Sequence, residues 1–124
     1  MTIDALSFIA YELQSLSVPY EFGQWGADEV PDPYFVGDYV EIESQTKEES
    51  GLQEASFILT GTGTSRLALE TAKSFIEKNI SKTKILDNGN GIAVYYSNAF
   101  YIPTGDAELE RLQINLNIKE WSVN

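Results

Sequence analysis

Three short stretches of this chain hold residue types that can do chemistry. Gly61-Thr62-Gly63-Thr64-Ser65 stands between a strand-like and a helix-like segment, and exposed amides at a helix N-terminus can hold a phosphate. It lacks the Gly-Lys-Ser/Thr ending of a P-loop and the third glycine of a dinucleotide fingerprint. The same residues make an ordinary strand-to-helix turn in which Thr64 or Ser65 caps the helix. Glu41 and Glu43 lie two apart on a strand-like segment, with Glu48, Glu49 and Glu54 close by. Two carboxylates on one strand face could share a cation or act as an acid/base pair. A solvated strand face with a charged hairpin tip, which discourages edge pairing, accounts for them without chemistry. Asp87-Asn88-Gly89-Asn90-Gly91 has the oxygens of a calcium loop but no later glutamate, and Asn-Gly dipeptides form turns unaided.

Histidine and cysteine are both absent. That excludes disulfides, thiolate nucleophiles, thiolate metal sites and any Ser-His-Asp triad. What remains is carboxylate or lysine chemistry, and no spacing makes a positive case for either. The expectation is a chain with no catalytic residue, no metal and no cofactor, whose task is to contact other proteins.

The elements that would position these stretches follow from periodicity. Leu6, Ile9, Ala10 and Leu13 form one apolar stripe, predicting a helix from Thr2 to Leu16, capped by Thr2 or Asp4 and stopped by Ser17-Val18-Pro19. A short strand is expected over Tyr20–Trp25, then an irregular acidic segment from Gly26 to Pro33. Tyr34–Ser44 and Leu52–Thr60 read as two strands joined by the polar run 45–51, a β-hairpin. On the first strand Tyr34, Val36, Val40 and Ile42 share one face, and Gly37, Glu41 and Glu43 the other. A second helix runs from Arg66 to about Asn79, with Ala68, Ala72, Phe75, Ile76 and Ile80 as its buried face. Short strands follow at Lys82–Leu86 and Ile92–Ile102, the latter bent at Ser97-Asn98. The last, Glu110–Lys119, alternates Leu112, Ile114, Leu116 and Ile118 with polar residues, the pattern of a strand wet on one face. The whole predicts one α+β domain over 1–124, ordered α-β-β-β-α-β-β-β. Its sheet of five to six strands would be largely antiparallel or mixed, with both helices on one face.

Composition agrees with one globular domain. The chain has 124 residues, 43% hydrophobic and 22% charged, enough for a single core. Eight basic against nineteen acidic residues give a net charge of −11. Such a chain repels phosphate backbones, so no specific nucleic-acid binding is expected. The charge fits solubility, or a partner with a basic surface. The N-terminus lacks a basic leader and no apolar run spans a bilayer, which points to the cytoplasm and to no membrane association. The adjacent aromatics Tyr34-Phe35, Tyr95-Tyr96 and Phe100-Tyr101 must face opposite sides of their strands. Some of them therefore meet a second surface, either an interface or a cover within the chain.

Several runs resemble small tail-completion proteins of long-tailed phages and prophages of Gram-positive bacteria, the group that includes tail terminators. They are Pro33-Tyr34-Phe35-Val36-Gly37-Asp38-Tyr39, Glu48-Glu49-Ser50-Gly51-Leu52-Gln53-Glu54, Phe57-Ile58-Leu59-Thr60-Gly61 and Ile102-Pro103-Thr104-Gly105-Asp106. Leu112-Gln113-Ile114-Asn115-Leu116 and Glu120-Trp121 complete the likeness. The resemblance implies a homo-oligomeric ring, hexameric in the assembled tail, that contacts the tail tube and head connector without catalysis. It makes the Tyr34–Thr60 hairpin the expected assembly surface, with Tyr34, Phe35, Tyr39, Glu41, Glu43, Glu48, Glu49 and Glu54 as its candidate contact residues. The other readings are an acidic inhibitor or DNA mimic that occupies a basic cleft, and a small carboxylate enzyme.

Overall fold

The computed structural model describes residues 1–42 and 52–122. The expected hairpin tip with Glu48 and Glu49, and Glu43 at the end of the expected first strand, lie outside the described residues. In chain order the elements are α1 (Ile3–Ser15), β1 (Tyr20–Phe22), β2 (Tyr34–Ile42), β3 (Leu52–Gly63), α2 (Arg66–Asn79), β4 (Lys82–Ile85), β5 (Gly91–Tyr101) and β6 (Glu110–Trp121). The strands form one six-stranded sheet in the order β1-β2-β3-β6-β5-β4. All neighbours are antiparallel except β1 and β2, so this is a mixed sheet in an α+β fold.

The centre of the sheet follows from period-2 patterning. Leu112, Ile114, Leu116 and Ile118 of β6 stand opposite Gly61, Leu59, Phe57 and Ala55 of β3, and all these side chains point into one buried layer. Ile92 and Val94 of β5 and Phe35 of β2 extend that layer sideways. Ala5, Phe8, Ile9 and Leu13 of α1 join the same cluster, as do Leu69 and Ile76 of α2 and Ile80 just beyond it. Each large aliphatic side chain buried this way stabilises the fold by roughly 1.5–3 kcal/mol before entropy is counted.

Local chemistry sets the ends. Thr2 caps α1, its Oγ1 accepting from the Ala5 amide at 3.1 Å, and Ser65 caps α2 in the same way through Ala68. After α1 the chain turns at Ser17, whose φ of 59° breaks the helix ahead of Pro19. In β5 the register slips between Tyr96 and Asn98, so Ser97 forms the bend expected there.

Three expectations change. β3 runs on through Gly61-Thr62-Gly63 to Gly63 instead of breaking at Gly61. The reason is packing: a Cβ at Gly61 would collide with the Phe35 ring, and one at Gly63 would meet Asp32 and Pro33. The two glycines let neighbouring groups lie directly on the strand. The buried stripe of α2 is carried by Leu69, Ile76 and Ile80, while Phe75 is 51% exposed. Phe75 sits one residue, about 100° of helix turn, away from Ile76, and points to the segment after α1. Likewise α1 buries Ala5 and Phe8 beside Ile9 and Leu13, and Leu6 and Ala10 only in part. Among the described residues no helix is long and apolar enough to cross a membrane.

The two faces of α2 should separate cleanly in chemical denaturation. Leu69→Ala should cost about 2–5 kcal/mol, whereas Phe75→Ala should cost much less because half of its surface is already wet. The reverse ranking would mean that the sheet-facing stripe is misplaced.

Candidate functional site

β2 is where sequence reasoning put the contact residues, and the structure divides them. Tyr34 leans on Trp25 with ring centroids 5.6 Å apart. Tyr39 stacks on Phe22 at 6.1 Å. Phe35, by contrast, is fully buried; it fills the space above Gly61 and leaves the set of contact candidates. Glu41 is exposed and accepts a hydrogen bond from the Met1 backbone nitrogen at 2.8 Å. Glu54 stands opposite Ile42 in the register, whereas Glu41 stands opposite Ala55, so these two carboxylates project from opposite faces. They do not converge into an acid/base pair. Among the described residues no group of three Asp or Glu could hold a metal ion.

Val36, Val40 and Ile42 of β2 sit on the side away from the core, opposite to Phe35 and Tyr39. Phe35 and Gly37 are buried, while Val40 and Ile42 are 58% and 48% exposed. β1 covers only Phe35–Gly37. Gly23 then donates to the Gly37 carbonyl at 2.8 Å, and with its φ of 84° it turns the chain away. From Asp38 to Ile42, β2 has β3 on one side and no strand among the described residues on the other. The far edge of the sheet is β4. There Lys82 is ion-paired with the mostly buried Glu12, Lys84 Nζ lies 5.6 Å above the Phe8 ring, and Ile85 is 61% exposed.

The Gly61–Ser65 stretch is not built for a phosphate. The Thr64 amide donates to Asp32 Oδ1 at 2.9 Å, and the Thr64 hydroxyl donates to Asp32 Oδ2. An incoming anion would meet a carboxylate where it needs a free N–H. The Thr64 hydroxyl, and then its amide, hold the Asp32 carboxyl below its usual range. This clip ties the segment after β1 to the start of α2 beside an apolar groove of about 330 Å3, lined by Leu16, Pro19, Pro33, Ala72 and Phe75.

Two polar ties were missed. Tyr101 Oη donates to Glu70 Oε2 at 2.6 Å, and the Arg66 guanidinium lies 3.8 Å above the Tyr101 ring. Burial, and next the Glu70 hydrogen bond, push the Tyr101 phenol up to about 12; the same bond lowers Glu70. The spacing of Arg66, Glu70 and Lys73 along one helix face was the available signal. The second tie is Glu120, buried and accepting from both the amide and the hydroxyl of Thr2. It sits in phase with the Leu112–Ile118 row, so an inward carboxylate was readable from its parity.

Comparison with protein-family models finds no match, and comparison with curated proteins finds none either.

Asp32 has a depressed pKa in the fold, so its contribution to stability is present above its unfolded value and is lost as pH falls through the folded one. The stability gap between the wild type and Asp32→Asn should be widest near neutral pH and close in acid, read from denaturation midpoints across a pH series. A constant gap would count against the clip. Burial raises Tyr20 as well, to about 12. Stability from Tyr20 and Tyr101 is complete below the ordinary tyrosine value of 10 and is lost on approach to about 12. Ultraviolet titration should show a late tyrosine wave there, and Tyr101→Phe should remove part of it.

Proposed function

We propose that this chain is a structural, non-catalytic subunit of a phage or prophage tail, a tail-terminator or tail-completion protein that forms a ring at the head-proximal end of the tail tube. One observation carries the reading. The runs that resemble tail-completion proteins fall mainly on three adjacent strands: Tyr34–Tyr39 on β2, Phe57–Gly61 on β3, and Leu112–Leu116 with Glu120-Trp121 on β6. A likeness of chance would scatter over the fold; this one follows a single continuous piece of sheet. Its partners on this reading are further copies of itself, the tail tube and the head connector, with no cofactor.

The second reading, an acidic inhibitor or DNA mimic, draws on a different feature. Residues 1–46 contain nine carboxylates and no Lys or Arg, a charge balance suited to a basic cleft.

One experiment separates them. Gold-labelled chain mixed with purified tail tubes of the encoding phage should decorate one end only, and deleting the gene should leave heads and tails unjoined. Normal joined particles after deletion would sink the tail reading. A stable stoichiometric complex with a basic host enzyme, with tube ends bare, would favour the second.

A further inference from the structure

The connection between β4 and β5 contains the same dipeptide twice, Asn88-Gly89 and Asn90-Gly91. An asparagine followed by glycine is open to self-catalysed loss of its side-chain amide. A residue without Cβ lets the following backbone nitrogen reach the side-chain carbonyl. The fold treats the two copies differently.

Asn88 stands exposed in the turn. Its Oδ1 accepts from the Asn90 amide at 2.9 Å, and its Nδ2 donates to Asp4 Oδ2 at 3.0 Å. The ring closed by the first bond runs through Asn88 Cγ and the Gly89 nitrogen, so the two atoms that must join share one short loop. The same Asn90 N–H points at the oxygen on which negative charge develops during attack, at the distance of an oxyanion-hole donor. Gly89 has a φ of 89°, and a turn bond to the Leu86 carbonyl, 2.9 Å long, holds its amide. Asn90 has the same neighbour in sequence but a different one in space. The Leu86 amide donates to the Asn90 carbonyl at 2.7 Å, so Asn90 faces β4 and, by alternation, the Gly91 amide faces β6. Gly91 is buried opposite Trp121, and a Cβ there would collide with the indole. Its nitrogen can attack the Asn90 side chain only by leaving the sheet.

We infer that Asn88, and not Asn90, is a site of spontaneous deamidation in the folded protein, with water as co-reactant. The Gly89 nitrogen gives up its proton and attacks Asn88 Cγ. An N–Cγ bond forms, the Cγ–Nδ2 bond breaks, and Nδ2 leaves as ammonia carrying that proton. Water then opens the cyclic imide. Opening at Cγ leaves aspartate at position 88; opening at the backbone carbonyl carbon leaves isoaspartate, with the chain rerouted through Cβ. Nothing is oxidised or reduced. Either product replaces an amide that donates to Asp4 with a carboxylate that repels it. Asp4 of α1, Asp87 of the turn and Lys84 of β4 line the same cleft of about 450 Å3, so the new charge meets two carboxylates and one ammonium. The tie between the turn and the start of α1 is lost, while Glu12 still holds the other end of the helix to Lys82. The inference stands apart from the tail reading.

Ageing the full chain in mildly alkaline buffer made with heavy-oxygen water tests it. Tryptic cleavage after Lys84 and Arg111 releases residues 85–111, and fragmentation of that peptide locates the label. In the folded chain position 88 should gain it several-fold faster than position 90, and in denaturant the two rates should converge. Equal rates in the folded chain, faster reaction at Asn90, or no reaction at Asn88 would each overturn the inference. So would a difference that persists in denaturant, because sequence and not the fold would then be its cause. The consequence is read separately. Asn88→Asp should lower the denaturation midpoint, and adding Asp4→Asn should recover part of the loss, since amide and carboxylate then meet in the opposite sense. A double variant no more stable than Asn88→Asp alone would overturn the assigned role of the Asp4 tie.

Discussion

The constraint on which the rest of the structure depends is the pairing of β3 with β6. It is the longest antiparallel contact in the fold, twelve residue pairs from Leu52↔Trp121 to Gly63↔Glu110. Because side chains alternate along both strands, this one register decides which residues face the core. A slip of one residue would turn Leu112, Ile114, Leu116 and Ile118 outward together. The partners are distant in sequence, with α2, β4 and β5 between them, so the pair closes a long loop. Hairpins flank this long-range pair and take their phase from it.

Much of this was legible. The β6 alternation, the helix caps, the Asn-Gly turn after β4 and the bend at Ser97 are local signals, and each fell where the residues placed it. The parallel match of β1 with β2 was not legible, because no local turn specifies it. Phe75 shows a different limit. Helical periodicity yields a face about two residues wide, and only the sheet beneath decides whether Ile76 or Phe75 lies at its centre. The glycines at 61 and 63 were read as a break, since their role depends on Phe35 and Asp32 arriving from far along the chain.

The candidate surface was half legible. Alternation showed that one of each aromatic pair must face away from the core, and Tyr95 and Phe100 are indeed open while Tyr96 and Tyr101 are partly covered. It did not show which member of Tyr34-Phe35 is lost to the core. That depends on Gly61 being small enough to accept a ring. The polar ties from Glu12 and Glu120 share one logic, a buried carboxylate held by a specific donor from Lys82 or Thr2, while the more exposed Glu70 accepts from Tyr101. These contacts join helices to strands where apolar packing alone has no directional preference.

The slip at Ser97 has a consequence for how this protein can change length. Before it, Tyr96 faces Leu116 on the core side; after it, Ala99 and Tyr101 face Ile114 and Leu112. An unbroken strand would have sent Tyr101 outward and Phe100 inward. The bulge that leaves Ser97 unpaired therefore acts as a frame correction, bringing a phenol under Arg66 and within reach of Glu70. Losing Ser97 would restore regular alternation and leave Asn98 to Tyr101 on their present faces, whereas straightening the strand with Ser97 retained would exchange all four between the two faces. At this point of β5 a residue can be removed without sending any side chain to the other face, which a regular length of strand does not allow.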